Sequence, residues 1–339
     1  MSIHTYRLYS PIYEDCDENR VCRYPQDLFK ESEINSLRNA YFDIGVLAFA
    51  IGMIVTFCIL RSDKLSGLSR YQNLLPLFTA VTFRRSTYTV ANTLTIGYLF
   101  EFMNQFISLC KLLGFIDTFL SVFEIESLTH LCIERFINAY YTQQGWPVPD
   151  WHNTLFFSIS FGLACLYSIL PIIGIGVGYG KDFDCKHCTM DLKLPENGIL
   201  ANMFIALFAL MYFKPFLVMF GSIVYTKYLE AYKLKKYDEY QATFTDAVMV
   251  MAMVSFGFWV PLISIRYGVI HNQIMFDSMA FFFTPYLVKT ALVMNYVAPV
   301  LGIGVFALKD SPLAAKVMNL FWDRPDEEDL RRQGRLRRN

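Results

Sequence analysis

Long apolar runs broken by short polar stretches make up most of this chain. Windows long enough to cross a bilayer recur at about 40–60, 72–100, 106–136, 152–174, 199–225, 242–266 and 278–305. A hydrocarbon core takes roughly 20 helical residues to span. The pattern therefore predicts an all-α membrane protein, a seven-transmembrane helix bundle. The second and third windows are the least uniform, because both carry charges. After the seventh, the run DSPLAAKVMNLFW reads as a short amphipathic helix lying on the membrane surface, with Ser311 as its cap and Pro312 as its first residue. The expected organisation is an N-terminal arm (1–38), a seven-helix unit (39–308), the amphipathic helix (309–322) and a solvated, disordered tail (323–339).

Composition agrees: 54% of the 339 residues are hydrophobic and 17% aromatic, too apolar for an ordinary soluble domain. The net charge of zero and the absence of a basic stripe give no reason to expect nucleic acid. The arm is polar and lacks a signal-peptide core, so the first helix is expected to act as its own insertion signal. Arg61, Lys64 and Arg70 follow the first helix, Lys227, Lys233, Lys235 and Lys236 the fifth, and an arginine-rich tail the seventh, whereas the arm is acidic. Basic residues stay on the cytoplasmic side, which puts the N-terminus outside and the C-terminus inside.

Charges inside the windows carry the chemistry. Lys289 sits near the middle of 281–308, where a charge costs at least about 2.5 kcal/mol on the mildest scale, so it needs a partner, a modification or a reason to be neutral. In the third window Cys110, Asp117 and Glu124 follow at steps of seven, nearly two turns each, and so share one helix face. Arg84 and Arg85 interrupt the second window. Either that helix is broken or shifted, with both arginines near an interface, or they are buried and paired to a carboxylate such as Glu124. Glu134-Arg135 closes the third helix; by itself that is an ordinary charged helix end.

Pro215 and Pro261 lie within the fifth and sixth windows. Trp259, two residues before Pro261, suits a hinge or simple packing. Cys16 and Cys22 in the arm fit an oxidising compartment. In the loop KDFDCKHCTMD, Cys185 or Cys188 can reach the outer end of the third helix and join Cys110. There is no phosphate loop, catalytic triad or metal cluster, so no enzyme is expected, and His130, His187 and His271 are too scattered for ligands. The lack of an internal repeat counts against a repeat-built transporter.

Taken in order, these residues resemble the rhodopsin-like (class A) G-protein-coupled receptors, and within them the opsins. Cys110 stands 25 residues before Arg135, and Glu134-Arg135-Phe136 is similar to that family's Asp/Glu-Arg-Tyr motif. Cys188 with Asp191 resembles the opsin loop pattern Cys-x-x-Asp, and Pro171, Pro215 and Trp259-x-Pro261 fall where the family has theirs. Lys289-Thr290, with Asn295 six residues after the lysine, resembles the retinal-binding lysine of opsins and the asparagine of their last-helix motif. The divergent opsin-like serpentine receptors of nematodes are similar.

The resemblance implies a Cys110–Cys188 disulfide and retinal held as a Schiff base on Lys289. It also implies a counterion at Asp117 or Asp182, a switch at Trp259 and Pro261, and a G-protein switch at Glu134, Arg135 and Asn295. The partner would be a heterotrimeric G protein, and the place the plasma membrane of a sensory cell. The alternative with the same residues is a retinal-independent chemosensory receptor for a small organic ligand, with Lys289 and Asp117 as a plain salt bridge. Departures are specific: Asn295-Tyr296-Val297-Ala298-Pro299 exchanges the family's Tyr and Pro, and the first helix lacks the usual asparagine. Phe83 stands where an aspartate is expected, Leu113 where vertebrate visual opsins have a glutamate, and no cysteine follows the amphipathic helix.

Overall fold

The computed structural model describes residues 31–66, 68–94, 107–147, 151–173, 178–181, 188–190, 198–232, 239–275 and 285–322. Among them seven helices are long: α1 (Glu31–Arg61), α4 (Leu74–Leu94), α5 (Ile107–Gln144), α6 (Trp151–Ile169), α7 (Gly198–Tyr232), α8 (Glu239–Met275) and α9 (Pro285–Lys309). Two single turns, α2 (Asp63–Ser66) and α3 (Ser69–Gln72), connect α1 to α4, and α10 (Ser311–Trp322) follows α9. Strands β1 (Tyr179–Lys181) and β2 (Cys188–Met190) pair antiparallel, with Tyr179 opposite Met190 and Lys181 opposite Cys188.

Five of these helices, α1, α6, α7, α8 and α9, are long and apolar enough to cross a membrane. The two that fall short are α4, with Arg84 and Arg85 in its interior, and α5, with acids along its length. The arginines do not break α4, which runs unbroken through both. The third helix also outlasts its expected end at 136: α5 continues to Gln144 and closes at Gly145 (φ 71°). There Gly145 N–H donates to Thr142 O (3.2 Å) and Trp146 N–H to Tyr141 O (3.0 Å), a glycine-ended cap that uses the last free carbonyls.

α5 is the central post, packing on α4, α6, α7, α8 and both strands, while α8 lies along α9 and α1 along α4. Small residues set two of these approaches. A side chain at Gly52 of α1 would meet Thr82 of α4, and one at Gly114 of α5 would meet the Tyr179 ring of β1 at 2.7 Å. Outward positions are apolar: Phe49, Met53 and Phe57 on α1, Phe157 and Phe161 on α6, and Leu217 on α7 are all exposed. Polar side chains instead gather inside, the arrangement expected of a bundle in lipid.

The cap of α10 falls one residue earlier than expected. Asp310 rather than Ser311 receives the Leu313 N–H on Oδ2 (3.3 Å) and the Ala314 N–H on its backbone oxygen (2.8 Å). An acid does this better than serine because it also complements the helix dipole. The arm before residue 31 and the tail after 322, with Cys16 and Cys22, lie outside the described residues.

Gly52→Ala tests the α1–α4 approach. Its new methyl would stand 1.9 Å from Thr82 Oγ1, which is held to Phe78 O at 2.7 Å. Relief requires moving Thr82 or spreading the helices, at a cost of about 1–3 kcal/mol. Thermal unfolding of purified protein should show a transition lowered by several degrees, and Gly162→Ala, with nothing near its site, should leave it in place.

Candidate functional site

Three consecutive residues of α4 point in different directions, as 100° steps require. Phe83 faces out (58% exposed), whereas Arg84 and Arg85 turn inward and are buried. Arg84 bridges two acids of α5: Nε lies 2.8 Å from Asp117 Oδ1 and Nη1 3.1 Å from Glu124 Oε2. Two turns of helix separate those carboxylates, a span that one guanidinium can cover because its donors diverge. Arg85 turns toward α9. Its Nη2 donates to the Asn295 backbone oxygen (3.1 Å), and its guanidinium sits 4.4 Å from the centre of the Tyr296 ring. The Tyr296 hydroxyl donates back to Arg85 O (3.4 Å), and Tyr41 of α1 packs on Tyr296 at 4.5 Å. The residue facing Asn295 from α4 is therefore Arg85, not Phe83, and it is a cation.

Lys289 lies half-buried on α9. No described carboxylate is paired with it. Asp117 and Glu124 hold Arg84; Glu126 accepts from Lys214 (2.5 Å); Glu134 holds Arg135; Asp310 accepts from Tyr71. The expected counterion Asp117 thus faces Arg84 instead of Lys289. An acid is satisfied by whichever cation its rotamer reaches first, and α4 supplies one at contact distance. The second candidate counterion, Asp182, lies outside the described residues, as does Cys185. Trp259 is buried, 6.3 Å from the Phe216 ring, two residues before Pro261, which sits inside a continuous α8.

The strand pair covers the end of the bundle away from Arg135. The Tyr179 ring rests on Gly114 and its hydroxyl donates to Ser168 O of α6 (2.6 Å). Thr189 and Met190 of β2 are buried. Cys110 belongs to α5 and Cys188 to β2, elements that pack on each other. Their side chains lie outside what is described.

At the opposite end Glu134 and Arg135 are both buried. Arg135 Nε lies 2.5 Å from Glu134 Oε2, and Nη1 donates to Gln241 Oε1 of α8 (3.0 Å). His152 Nε2 of α6 is 4.0 Å from Glu134. Beside them the buried Tyr71 hydroxyl donates to Asp310 Oδ2. Burial pushes the Asp310 carboxyl above its ordinary range, and burial with the adjacent Asp310 raises the Tyr71 phenol as well. The pairs Glu126–Lys214 and Tyr71–Asp310 escaped the sequence reading. A signal existed for the first: Lys214 is a lone charge in an apolar run, Glu126 is an acid in another, and such charges seek one another.

No family model matches the chain, and no curated protein sequence does. Among solved structures, the crystal structure of squid rhodopsin is similar: the TM-score is 0.72 over 91% of this chain and 92% of that one, with 12% of residues identical. At that identity the likeness is one of fold, and the fold is the rhodopsin seven-helix arrangement.

Breaking the Arg84 bridge from one side should leave a buried charge incompletely compensated. Glu124→Gln and Asp117→Asn are each expected to cost several kcal/mol, near the 3–5 kcal/mol seen when one member of a buried pair is removed. The quadruple variant Arg84→Met, Arg85→Met, Asp117→Asn, Glu124→Gln removes the neutral set as a whole and should recover most of the loss. Thermal melting of the three proteins against the parent reads the order directly; equal melting throughout would place the cluster in contact with water.

Proposed function

We propose that this chain is a rhodopsin-like G-protein-coupled receptor. Seven helices cross the membrane, α4 and α5 among them, because their charges are turned inward and neutralised by each other. The strand end faces outward and the Arg135 end faces the cytoplasm, where a heterotrimeric G protein docks; the basic connectors and the arginine-rich tail support that orientation. The plasma membrane of a sensory cell is the setting this reading implies, and kinship with opsin-like serpentine receptors of nematodes belongs to the same proposal. A Cys110–Cys188 disulfide would tether β2 to α5 and hold the strand pair over the mouth of the bundle.

The observation that carries the ligand assignment is a half-buried primary amine, Lys289, on the last helix of a rhodopsin fold, with no described acid paired to it. Such an amine is the nucleophile that a Schiff base requires. These residues fit retinal in one respect: the amine that would join its aldehyde is present, and Trp259 offers a buried aromatic wall. Bound retinal would supply a light-driven change of shape. Within the protein, Lys289 holds the ligand, Trp259 bears on it, and α8 turns about Pro261 to free Arg135. Arg84 meanwhile keeps Asp117 from serving as the lysine's partner.

That last feature favours a second reading: a chemosensory receptor for a small organic ligand that meets Lys289 without covalent attachment. An acidic group on the ligand would supply the carboxylate the described core withholds.

Incubation of the purified receptor with 11-cis retinal, followed by absorbance, separates the two. Covalent binding should give a band that Lys289→Ala abolishes. With Asp117 engaged by Arg84, the band is expected in the near ultraviolet, and Asp117→Asn should not shift it. A visible band moved by Asp182→Asn would assign the loop acid instead. Folded protein with no band would establish the noncovalent reading.

A further inference from the structure

The ion pair Glu134–Arg135 joins neighbours on one helix, so it cannot hold α8 in place. What crosses from Arg135 to α8 is the hydrogen bond to Gln241 and the ring of Phe244, three residues on and on the same helix face. Both are neutral groups. Phe244 is fully buried, and four side chains from three other elements meet on it. Arg135 of α5 lies over the ring with Cζ 4.5 Å from its centre, and Arg70 of α3 lies over it at 5.3 Å. The Tyr71 ring meets it edge-on at 5.4 Å, and the Phe306 ring of α9 at 5.5 Å. Tyr71 is in turn fixed by its bond to Asp310, the residue that caps α10.

Arg70 has an unusual position. It is 8% exposed, its Nε has no hydrogen-bond partner among the described residues, and it rests on two ring faces, Tyr71 (5.2 Å) and Phe244. Asp310 and the Tyr71 hydroxyl answer part of its charge, and the ring faces cover the rest of the guanidinium; a desolvated cation on an aromatic face is the strong form of that contact.

We propose that Phe244 is the gating residue of this receptor: a cation–π clamp in which Arg70 and Arg135 grip one ring and hold α8 closed against α3, α5 and α9. This builds on the receptor reading above. Outward movement of α8 strips both guanidiniums of the ring together and loosens the packing around Tyr71. The closed state is therefore set by an aromatic face and not by an acid on α8. The start of α10 is tied to the same event through Asp310. The clamp has a signature that an ion-pair lock lacks. Replacing the ring with an aliphatic side chain of similar size releases it, whereas a larger aromatic face preserves it.

The test uses full-length receptor in lipid nanodiscs, spin-labelled at the cytoplasmic ends of α5 and α8. Electron–electron resonance gives the distance distribution, and basal nucleotide exchange on a G protein is measured in parallel. Phe244→Leu should raise the ratio of open to closed distances about tenfold, while Phe244→Trp should stay near the parent. Arg70→Gln, which leaves the ring and its packing in place, should shift the ratio in the same direction by a smaller factor. Parent-like distances in Phe244→Leu, or equal opening in Phe244→Leu and Phe244→Trp, would overturn the clamp. Should the Phe244 variants fail to fold, an unchanged Arg70→Gln distribution would do so alone. Opening in Phe244→Leu without any G-protein response would count against the receptor reading and leave the clamp standing.

Discussion

A guanidinium held between two carboxylates on the next helix governs how this bundle is built. Arg84 lies inside a helix whose outward neighbour, Phe83, is presented to lipid, so the charge has nowhere polar to go except inward. Asp117 and Glu124 receive it from α5, and Arg85 leaves the same stretch of α4 for α9. Two arginines and two acids thus close a neutral set within the helices. Charge removed from water is costly, and only mutual contact with good geometry makes it tolerable. The α4–α5–α9 arrangement is consequently fixed in rotation as well as position: turning α4 by one residue would either expose Arg84 to lipid or, in the other sense, bring Phe83 against the acids.

This arrangement decides what Lys289 can be. Each described buried acid already faces another group, and none of them is paired with the half-buried Lys289. Covalent attachment and an acidic ligand are the two chemistries proposed above for that amine. The same reasoning explains why a cation can stand at Arg85 beside Asn295. The positive charge belongs to the protein, is stacked on Tyr296, and is offset by acids one helix away.

How much of this could be read from the chain depends on whether the deciding fact was periodic. Seven apolar windows gave seven long helices, and the step of seven placed Asp117 and Glu124 on one face, where Arg84 finds both. Of the two alternatives for Arg84 and Arg85, burial and an unbroken helix prevailed. What spacing could not give was rotation. Residues 83, 84 and 85 are consecutive, so motif alignment alone could not say which faces inward, and it nominated Phe83. Nor could spacing choose between Arg84 and Lys289 as partner for Asp117, since that depends on which cation's reach ends at the carboxylate. The cap of α10 fell to Asp310 because a buried acid there serves two masters, the helix N-terminus and Tyr71, and the second lies 239 residues away in sequence.

The two ends of the bundle hold themselves together by different physics, and the difference suits a switch. Beneath the strand pair, charges are locked in a bridge whose rupture would strand an ion in low dielectric, so that half resists change. At the other end the link from Arg135 to α8 runs through an amide and a ring, contacts worth less than a buried ion pair and free of any stranded acid on α8 when broken. Glu134 lies on the same helix as Arg135, so their pair places no restraint on α8. Separating α8 there breaks one hydrogen bond to an amide and uncovers one aromatic ring, and no acid of α8 is left without its cation.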